Sequence, residues 1–316
     1  MVEFIDLFAG IGGMRLGFQA SGARCVFSSE IDKHAQDTYE ENFGERPLGD
    51  IREIAADQIP THDVLLAGFP CQTFSIAGVS KLGSMGREHG LVEKTRGTLF
   101  YEICRILGHH RPRAFLLENV KGLLWHDEGR TFKTIEESLR ELGYATSHRV
   151  ISSVNFVPQR RERVFIVGFN DGRVFDFPDP EERETRLSDI LDEGVDQKYT
   201  LNDHLWNYHQ ERKRIQRDKG NGFGYRMFSA DGTSGTLSAR YYKDGADILL
   251  EQEGGKNPRR LTPRECARLM GFPEDFVLNS SEVQAYKQLG NAVVPPVVEM
   301  LANGMISRIN AKEIRV

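Results

Sequence analysis

The sequence predicts an α/β fold, a doubly wound and mostly parallel sheet with a smaller second domain. Three observations carry that reading. Short apolar runs alternate with helix-periodic segments through the first half of the chain, as strand–helix–strand units on a parallel sheet do. A glycine-rich turn, Ala9-Gly10-Ile11-Gly12-Gly13, joins the first apolar run to the first helical one. From about Phe177 the alternation stops at Pro178-Asp179-Pro180, and a charged, glycine-containing stretch with few clean strands follows. Such a break marks a domain boundary. The expected divisions are residues 1–180, a smaller domain at 181–285, and a return to the first at 286–316.

Phe4-Ile5-Asp6-Leu7-Phe8 is the first strand, and Met14 to Ala20 the first helix. Cys25-Val26-Phe27-Ser28 is the second strand, running out at Glu30. Further strands are expected at Val64–Ala67, Ala114–Leu117, Arg149–Ser152 and Val164–Val167, and helices at Leu99–Leu107 and Phe132–Leu142. No internal repeat or low-complexity segment interrupts the series.

At 316 residues the chain is long enough for two domains and a well-buried core. Hydrophobic residues make up 39% and charged residues 28%, with a mean hydropathy of -0.44, as in an ordinary soluble protein. No apolar run approaches membrane-span length, and Met1-Val2-Glu3-Phe4 lacks a basic leader. Neither secretion nor insertion is expected, and the cytoplasm is the expected compartment. The 4 cysteines, at positions 25, 71, 104 and 266, show neither CxxC pairing nor zinc-site spacing, which fits a reducing compartment. A net charge of -5 excludes a uniformly basic coat but not a local basic face.

Gly68-Phe69-Pro70-Cys71-Gln72 follows the apolar run Asp63–Ala67 directly. The C-terminal ends of strands form the ligand crevice of such sheets, and Pro70 stiffens the exit. A thiol aimed by backbone in this way is a candidate nucleophile, although an isolated cysteine more often only packs. Gly10, Gly12 and Gly13 let the backbone approach a nucleotide-like cofactor, or serve packing alone; their spacing departs from GxGxxG. Glu30 stands where a carboxylate accepts ribose hydroxyls, and Asp50 could serve an adenine amino group. Either acid alone would read as a surface carboxylate. With no Gly-Lys-Ser/Thr grip for a triphosphate, an adenosine cofactor without a pyrophosphate fits best. In Leu116-Leu117-Glu118-Asn119-Val120 a carboxylate ends an apolar strand on the edge expected for Cys71. Burial there would raise its pKa, whereas a helix cap or surface acid is the plainer alternative. In Gln159-Arg160-Arg161-Glu162-Arg163 an extended backbone puts Arg161 and Arg163 on one side, to hold a carboxylate or phosphate or simply to face solvent.

These motifs in this order, closed by Gln288-Leu289-Gly290-Asn291, resemble the DNA cytosine-5 methyltransferases over nearly the whole chain. Gly220-Asn221-Gly222-Phe223-Gly224-Tyr225 and Thr236-Leu237-Ser238-Ala239-Arg240-Tyr241-Tyr242 are similar to segments of bacterial Dcm-type enzymes acting on short G/C sites. Thr73 and Ala292 replace residues commoner in the family, and the long N-terminal extension of Dcm is not part of this sequence.

The resemblance implies a Rossmann-like S-adenosylmethionine-dependent fold. Residues 1–180 would be the catalytic and cofactor-binding domain, and 181–285 the target-recognition domain and hinge. It implies Cys71 as the nucleophile that attacks cytosine carbon 6, and Glu118 as the group holding N3 and the exocyclic amine. Arg163 would contact the ring oxygen, and Arg161 would orient Glu118 or a phosphate. S-adenosyl-L-methionine is the implied donor, bound by Phe8, Gly10, Ile11, Gly12, Glu30, Asp50, Ile51 and Pro70, with Asn291 closing the pocket and no metal required. The target base must leave the duplex stack, and the glycine-containing loop after Cys71 would close over it. Gln72, Ser75, Thr236, Arg240 and Tyr242 are the implied DNA contacts, Arg240 being suited to a guanine edge. Arg212, Lys213, Arg214, Arg217 and Lys219 would engage phosphates or form a solvated helix face. The implied partner is double-stranded DNA at a CCWGG-like site, with GGWCC- and CCNGG-like sites as competitors. A monomer is expected, and a companion restriction endonuclease is left open. Two rival readings are a tRNA cytosine-5 methyltransferase on the same fold and a catalytically silent sequence-specific DNA-binding protein.

Overall fold

The computed structural model describes residues 1–69 and 98–311. The expectations for Pro70, Cys71, Gln72, Ser75 and the glycines of the following loop lie outside the described residues.

The strands of the main sheet are β1 (Glu3–Leu7), β2 (Arg24–Ser29), β3 (Val64–Gly68), β4 (Ala114–Val120), β5 (Ala145–Ser152) and β6 (Glu162–Phe169). They lie in the order β2-β1-β3-β4-β6-β5. The pairs from β2 to β4 are parallel, while β4–β6 and β6–β5 are antiparallel. The reason is length. Residues 153–161 between β5 and β6 hold only a short 3-10 turn, Ser153–Asn155, and a parallel return needs a crossover of roughly a dozen or more residues. The mostly parallel sheet thus carries an antiparallel hairpin on one edge.

Side chains alternate across this sheet with period two. Ile5, Leu7, Leu65, Ala67, Phe115 and Leu117 join one apolar cluster, and Phe4, Val64, Leu66, Ala114 and Leu116 join the other. Helices α1 (Gly13–Ala20), α2 (Lys33–Phe43), α3 (Leu99–His110) and α4 (Arg130–Glu141) connect the strands. Helix α2 was not expected, because its residues are mostly polar. Its ends are nevertheless well specified: Asp32 Oδ1 accepts from the His34 and Ala35 amides at 2.9 and 3.3 Å, and Gly44 stops it in a left-handed conformation, φ 69°.

The later part of the chain contains α5 (Asp203–Asp218), β7 (Met227–Phe228), α6 (Tyr241–Asp244), β8 (Leu249–Leu250) and α7 (Pro263–Leu269). It shares the second apolar cluster through Leu237, Tyr241, Leu250 and Leu261. A fully buried carboxylate, Glu265, grips Arg259 through two 2.8 Å bonds and also accepts the Asp192 and Thr262 amides. Two helices end the described chain, α8 (Glu282–Asn291) and α9 (Pro295–Asn310). Residues 282–310 are apolar enough to pass for a membrane span by length and composition. They are broken ahead of Pro295, and 56% of the most apolar window is buried inside the protein. Helix α9 runs against α1 so closely that a Cβ on Gly17 would lie 2.6 Å from Val298 Cβ.

Candidate active site

The C-terminal ends of the parallel strands open into a cavity of about 400 Å³. One wall is the turn after β1, where Phe8 and Gly10 both adopt positive φ, 55° and 54°. That bend aims the Gly10 amide at Glu30, whose Oε2 accepts it at 2.8 Å while Oε1 accepts the Asp32 amide at 2.8 Å. The Glu30 carboxylate is therefore fixed across the crevice by backbone. Ile11, Asp50 and Ile51 line the same wall. Asp50 caps the 3-10 turn Ile51–Glu53 and chelates Arg52, which holds its carboxyl below the usual range. Gly68, Leu99 and Glu118 form the opposite wall, and Asn291, Ala292 and Val293 close the cavity from the end of α8.

Of the expected cofactor residues, Phe8, Gly10, Ile11, Glu30, Asp50, Ile51 and Asn291 line this cavity. Gly12 does not. Its φ of 86° starts α1, and a Cβ there would fall 2.3 Å from Phe43 Cε2, so the position is glycine for packing against α2. The structure adds Asp6 and Ile31, neither of which the motifs singled out as cofactor residues. Asp6 is 1% exposed, and its Oδ2 has no hydrogen-bond partner among the described residues. Burial pushes its carboxyl well above the usual range against the pull of Arg15. A lone acid inside an apolar strand was the available signal. Ile31 is 64% exposed at the cavity mouth, an apolar side chain with no reason of its own to face water.

Glu118 is the second focus. It is the penultimate buried residue of β4, pairs in register with Gly68 of β3, and its Oε2 lies against the Gly68 backbone. Arg163 Nε meets Glu118 Oε1 at 3.0 Å, both side chains being nearly buried. Burial raises the Glu118 carboxyl pKa, and the Arg163 and Arg161 guanidinium groups pull the other way without cancelling it. Asn119 Nδ2 donates to the Phe69 carbonyl at 2.7 Å. The strand that carries Glu118 thereby holds the residue two positions before Cys71.

Arg161 was expected to orient Glu118 or a phosphate. Its guanidinium instead donates to three backbone carbonyls: Nη1 to Leu237 at 2.9 Å, and Nη2 to Gly290 and Ala292 at 2.9 and 2.8 Å. The side-chain directions explain the difference. Arg163, in β6 beside β4, reaches Glu118 across the ladder, whereas Arg161 lies before the strand and turns toward α8. Burial and the Arg163 charge lower the Arg161 pKa to about 9, which leaves it protonated at neutral pH.

Of the residues expected to touch DNA, Thr236 hydrogen-bonds the Arg160 carbonyl at 2.9 Å and so borders the motif at 159–163. Tyr242 is half-buried against the apolar cluster. Arg240 is exposed. The basic residues of α5 are largely committed. Arg212 faces Asp244, Arg214 faces Glu211 and Asp218, Arg217 faces Asp218, and Lys213 sits 4.2 Å from the centre of the Tyr225 ring. Among the described residues no cluster of His, Cys, Asp and Glu is arranged to hold a metal ion.

The signature of the C-5 cytosine-specific DNA methylases matches residues 2–307. The chain is 52% identical to the type II methyltransferase M.DsaV of Dactylococcopsis salina, covering 99% of this chain and 88% of that one. It is 51% identical to the type II methyltransferase M.SsoII of Shigella sonnei, covering 98% and 81%. It is 44% identical to the DNA-cytosine methyltransferase of Escherichia coli K12, covering 95% and 76%. The S. pombe Dnmt2 methyltransferase superposes with a TM-score of 0.77 at 21% identity, over 98% of this chain and 99% of that one, which attests the shared fold. With its sheet, crevice and Glu118–Arg163 pair in place, the chain belongs to the C-5 cytosine-specific DNA methylase family, enzymes that methylate carbon 5 of cytosine in DNA.

Proposed function

We propose that the chain methylates cytosine at a short G/C-rich duplex site through a covalent adduct on Cys71, with S-adenosyl-L-methionine in the cavity beside Glu118. The observation that carries this reading is Glu118 on the cavity wall, paired with the nearly buried Arg163, next to the strand end that leads into Cys71. The cavity suits that cofactor. Glu30 offers an acceptor for ribose hydroxyls, Asp50 and Ile31 an acid and an apolar face for adenine, and Asp6 Oδ2, without a partner among the described residues, an acceptor for a cationic end. S-adenosyl-L-methionine, when bound, supplies a methyl group made electrophilic by its sulfonium.

Cytosine carbon 5 is a poor nucleophile until carbon 6 is attacked. The Cys71 thiolate forms a bond to carbon 6, and the ring electrons move toward carbon 5 and N3. A free thiol has a pKa near ~8.5, so this site must favour the thiolate. Glu118, its carboxyl kept protonatable by burial, hydrogen-bonds N3 and supports the charge that develops there. Arg163 fixes the other Glu118 oxygen and so sets the carboxyl plane. Once carbon 5 is substituted, its proton passes to solvent water, the carbon–hydrogen electrons restore the double bond, and the carbon 6–sulfur bond breaks to release the thiolate. Extrusion of the base from the duplex is needed because carbon 6 is hidden in the stack.

Residues 181–285 are the proposed target-recognition domain, with Arg240 reading a guanine and Gln72, Ser75, Thr236 and Tyr242 alongside. The site is proposed as CCWGG-like, with CCNGG- and GGWCC-like sites as the alternatives. A monomer in the cytoplasm is proposed, with or without a companion endonuclease. The DNA reading is favoured over the tRNA one because relatives at 44–52% identity are named as type II or DNA-cytosine methyltransferases.

The test combines two measurements. A duplex carrying 5-fluorocytosine should trap the wild-type protein covalently, because fluorine cannot leave as the proton does. Cys71→Ser should neither trap nor methylate, yet bind cofactor and DNA. An active Cys71→Ser protein, or no adduct with wild type, would overturn the covalent mechanism. Bisulfite sequencing of DNA from expressing cells identifies the site.

A further inference from the structure

Arg161 sits where three segments meet. Its side chain is buried, 3% exposed, and its planar fork donates to the carbonyl of Leu237 on one side and to those of Gly290 and Ala292 on the other. Leu237 begins the run to Arg240. Gly290 and Ala292 flank Asn291, and Asn291 and Ala292 wall the cavity. The two backbones also touch directly: a Cβ on Gly290 would lie 2.4 Å from the Ser238 carbonyl and the Ala239 nitrogen. Neighbours of Arg161 repeat the pattern. Gln159 Oε1 accepts the Leu237 amide at 2.8 Å, and Thr236 Oγ1 donates to the Arg160 carbonyl at 2.9 Å. Segments 236–239 and 290–292 are thus tied by one guanidinium and also meet backbone to backbone at Gly290.

A rigid strut between two sites makes a shift at one a strain at the other. The geometry points to Arg161 as a positioning residue that couples sequence reading at 237–240 to the cofactor wall at 290–292. This rests on the proposed readings of the cavity and of that segment. Engagement of a cognate duplex settles segment 237–240, and Arg161 carries that ordering to Asn291 and Ala292, tightening the grip on cofactor. Linkage makes the effect reciprocal, so cofactor tightens cognate DNA by the same factor. Lysine cannot replace this side chain. It lacks the planar fork that reaches both carbonyl sets at once.

The probe is S-adenosyl-L-homocysteine, titrated calorimetrically into the full chain with and without a saturating duplex of the site found by bisulfite sequencing. Wild type should bind it more tightly with DNA, by a factor in the range of about 5–150. Arg161→Lys should lose most of that factor. Thr236→Val, which removes the bond to the Arg160 carbonyl, should lose part of it at a saturating duplex and serves if Arg161→Lys does not fold. Loss of coupling at an unchanged melting temperature separates positioning from a merely structural role. Full coupling in the folded variants, or a factor near one in wild type, overturns the proposal. Failure of wild type to bind S-adenosyl-L-homocysteine at all would instead strike the cofactor reading.

Discussion

At the scale of single residues, the site is a set of polar groups whose partners decide what they can do. Glu30 is tied by the Gly10 and Asp32 amides, so its carboxylate is positioned across the crevice. Glu30→Ala should weaken S-adenosylmethionine by ~1.5–3 kcal/mol, the usual size of a hydrogen bond to a charged group, and leave DNA affinity without cofactor unchanged. Calorimetry showing equal cofactor affinity in both proteins would remove Glu30 from the site. His62 gives a pH prediction away from the chemistry. Its Nδ1 bonds the Pro60 carbonyl at 2.8 Å, and its buried Nε2 has no partner among the described residues. Protonating Nε2 would bury a donor, and His110 lies beside it, so burial first and that neighbour second lower the pKa to about 4. The folded value lies below the unfolded one, so the native state binds fewer protons. The stability is present above pH ~6.5 and is lost as pH falls toward the folded value, by about 2–3 kcal/mol. Urea titrations at neutral pH and at pH ~4.5 should show this loss in wild type and a smaller one in His62→Asn. Glu118 was legible as a charge near the end of an apolar run, but its partner was not: Arg161 was expected to orient it, and Arg163 is the guanidinium that meets it. At Gly12 the sequence left cofactor approach and packing open, because glycine at a turn says that a side chain is excluded, not what excludes it.

Elements whose apolar spacing is strong were legible, and those specified by their ends were not. The strands of the sheet and helices α3 and α4 follow their apolar periodicity. Helix α2 has little such pattern and is set by Asp32 and Gly44. The antiparallel hairpin at β5–β6 depends on connection length, which composition does not announce. Contacts between distant elements were least legible, and the meeting of α1 with α9 shows why. Nothing in Gly13-Met14-Arg15-Leu16-Gly17 says that a backbone nearly three hundred residues later will lie on it. A Cβ at Gly17 would sit 2.6 Å from Val298 Cβ and 2.7 Å from the Glu299 nitrogen. Gly17→Ala removes a flexible residue from a helix, which alone would stabilise by ~1 kcal/mol. The clash with backbone should outweigh that and destabilise by ~1–3 kcal/mol. The urea midpoint should fall with little change in slope, and Val298→Ala should recover only part of it, since alanine keeps the Cβ at 2.6 Å and the Glu299 backbone cannot yield. A midpoint equal to or above wild type would mean that the helices separate at little cost.

For the whole molecule the question is how a chain of net charge -5 grips a polyanion and reads it. The basic face of α5 offers less than its sequence suggests, because Arg212, Arg214 and Arg217 each face a carboxylate and Lys213 lies over Tyr225. Those charges are partly spent within the protein, and substituting Lys213 would disturb the Gly220–Tyr225 loop as well as any phosphate contact. Arg240 differs. It is exposed, has no carboxylate partner among the described residues, and follows a backbone segment clamped by Arg161 and Gln159. A free guanidinium on a fixed backbone is what bidentate reading of guanine needs, because the fork must arrive already oriented. Arg240→Ala should therefore relax discrimination at one base position by ~1–3 kcal/mol, with stability unchanged. Methylation rates on duplexes substituted one position at a time would show a single column flattened. The salt dependence of binding should stay as in wild type, since a base contact displaces few counterions. If binding instead weakens equally on every duplex and the salt slope drops by ~1, Arg240 is a phosphate contact. Sequence reading would then rest on other residues of the proposed recognition segment 181–285.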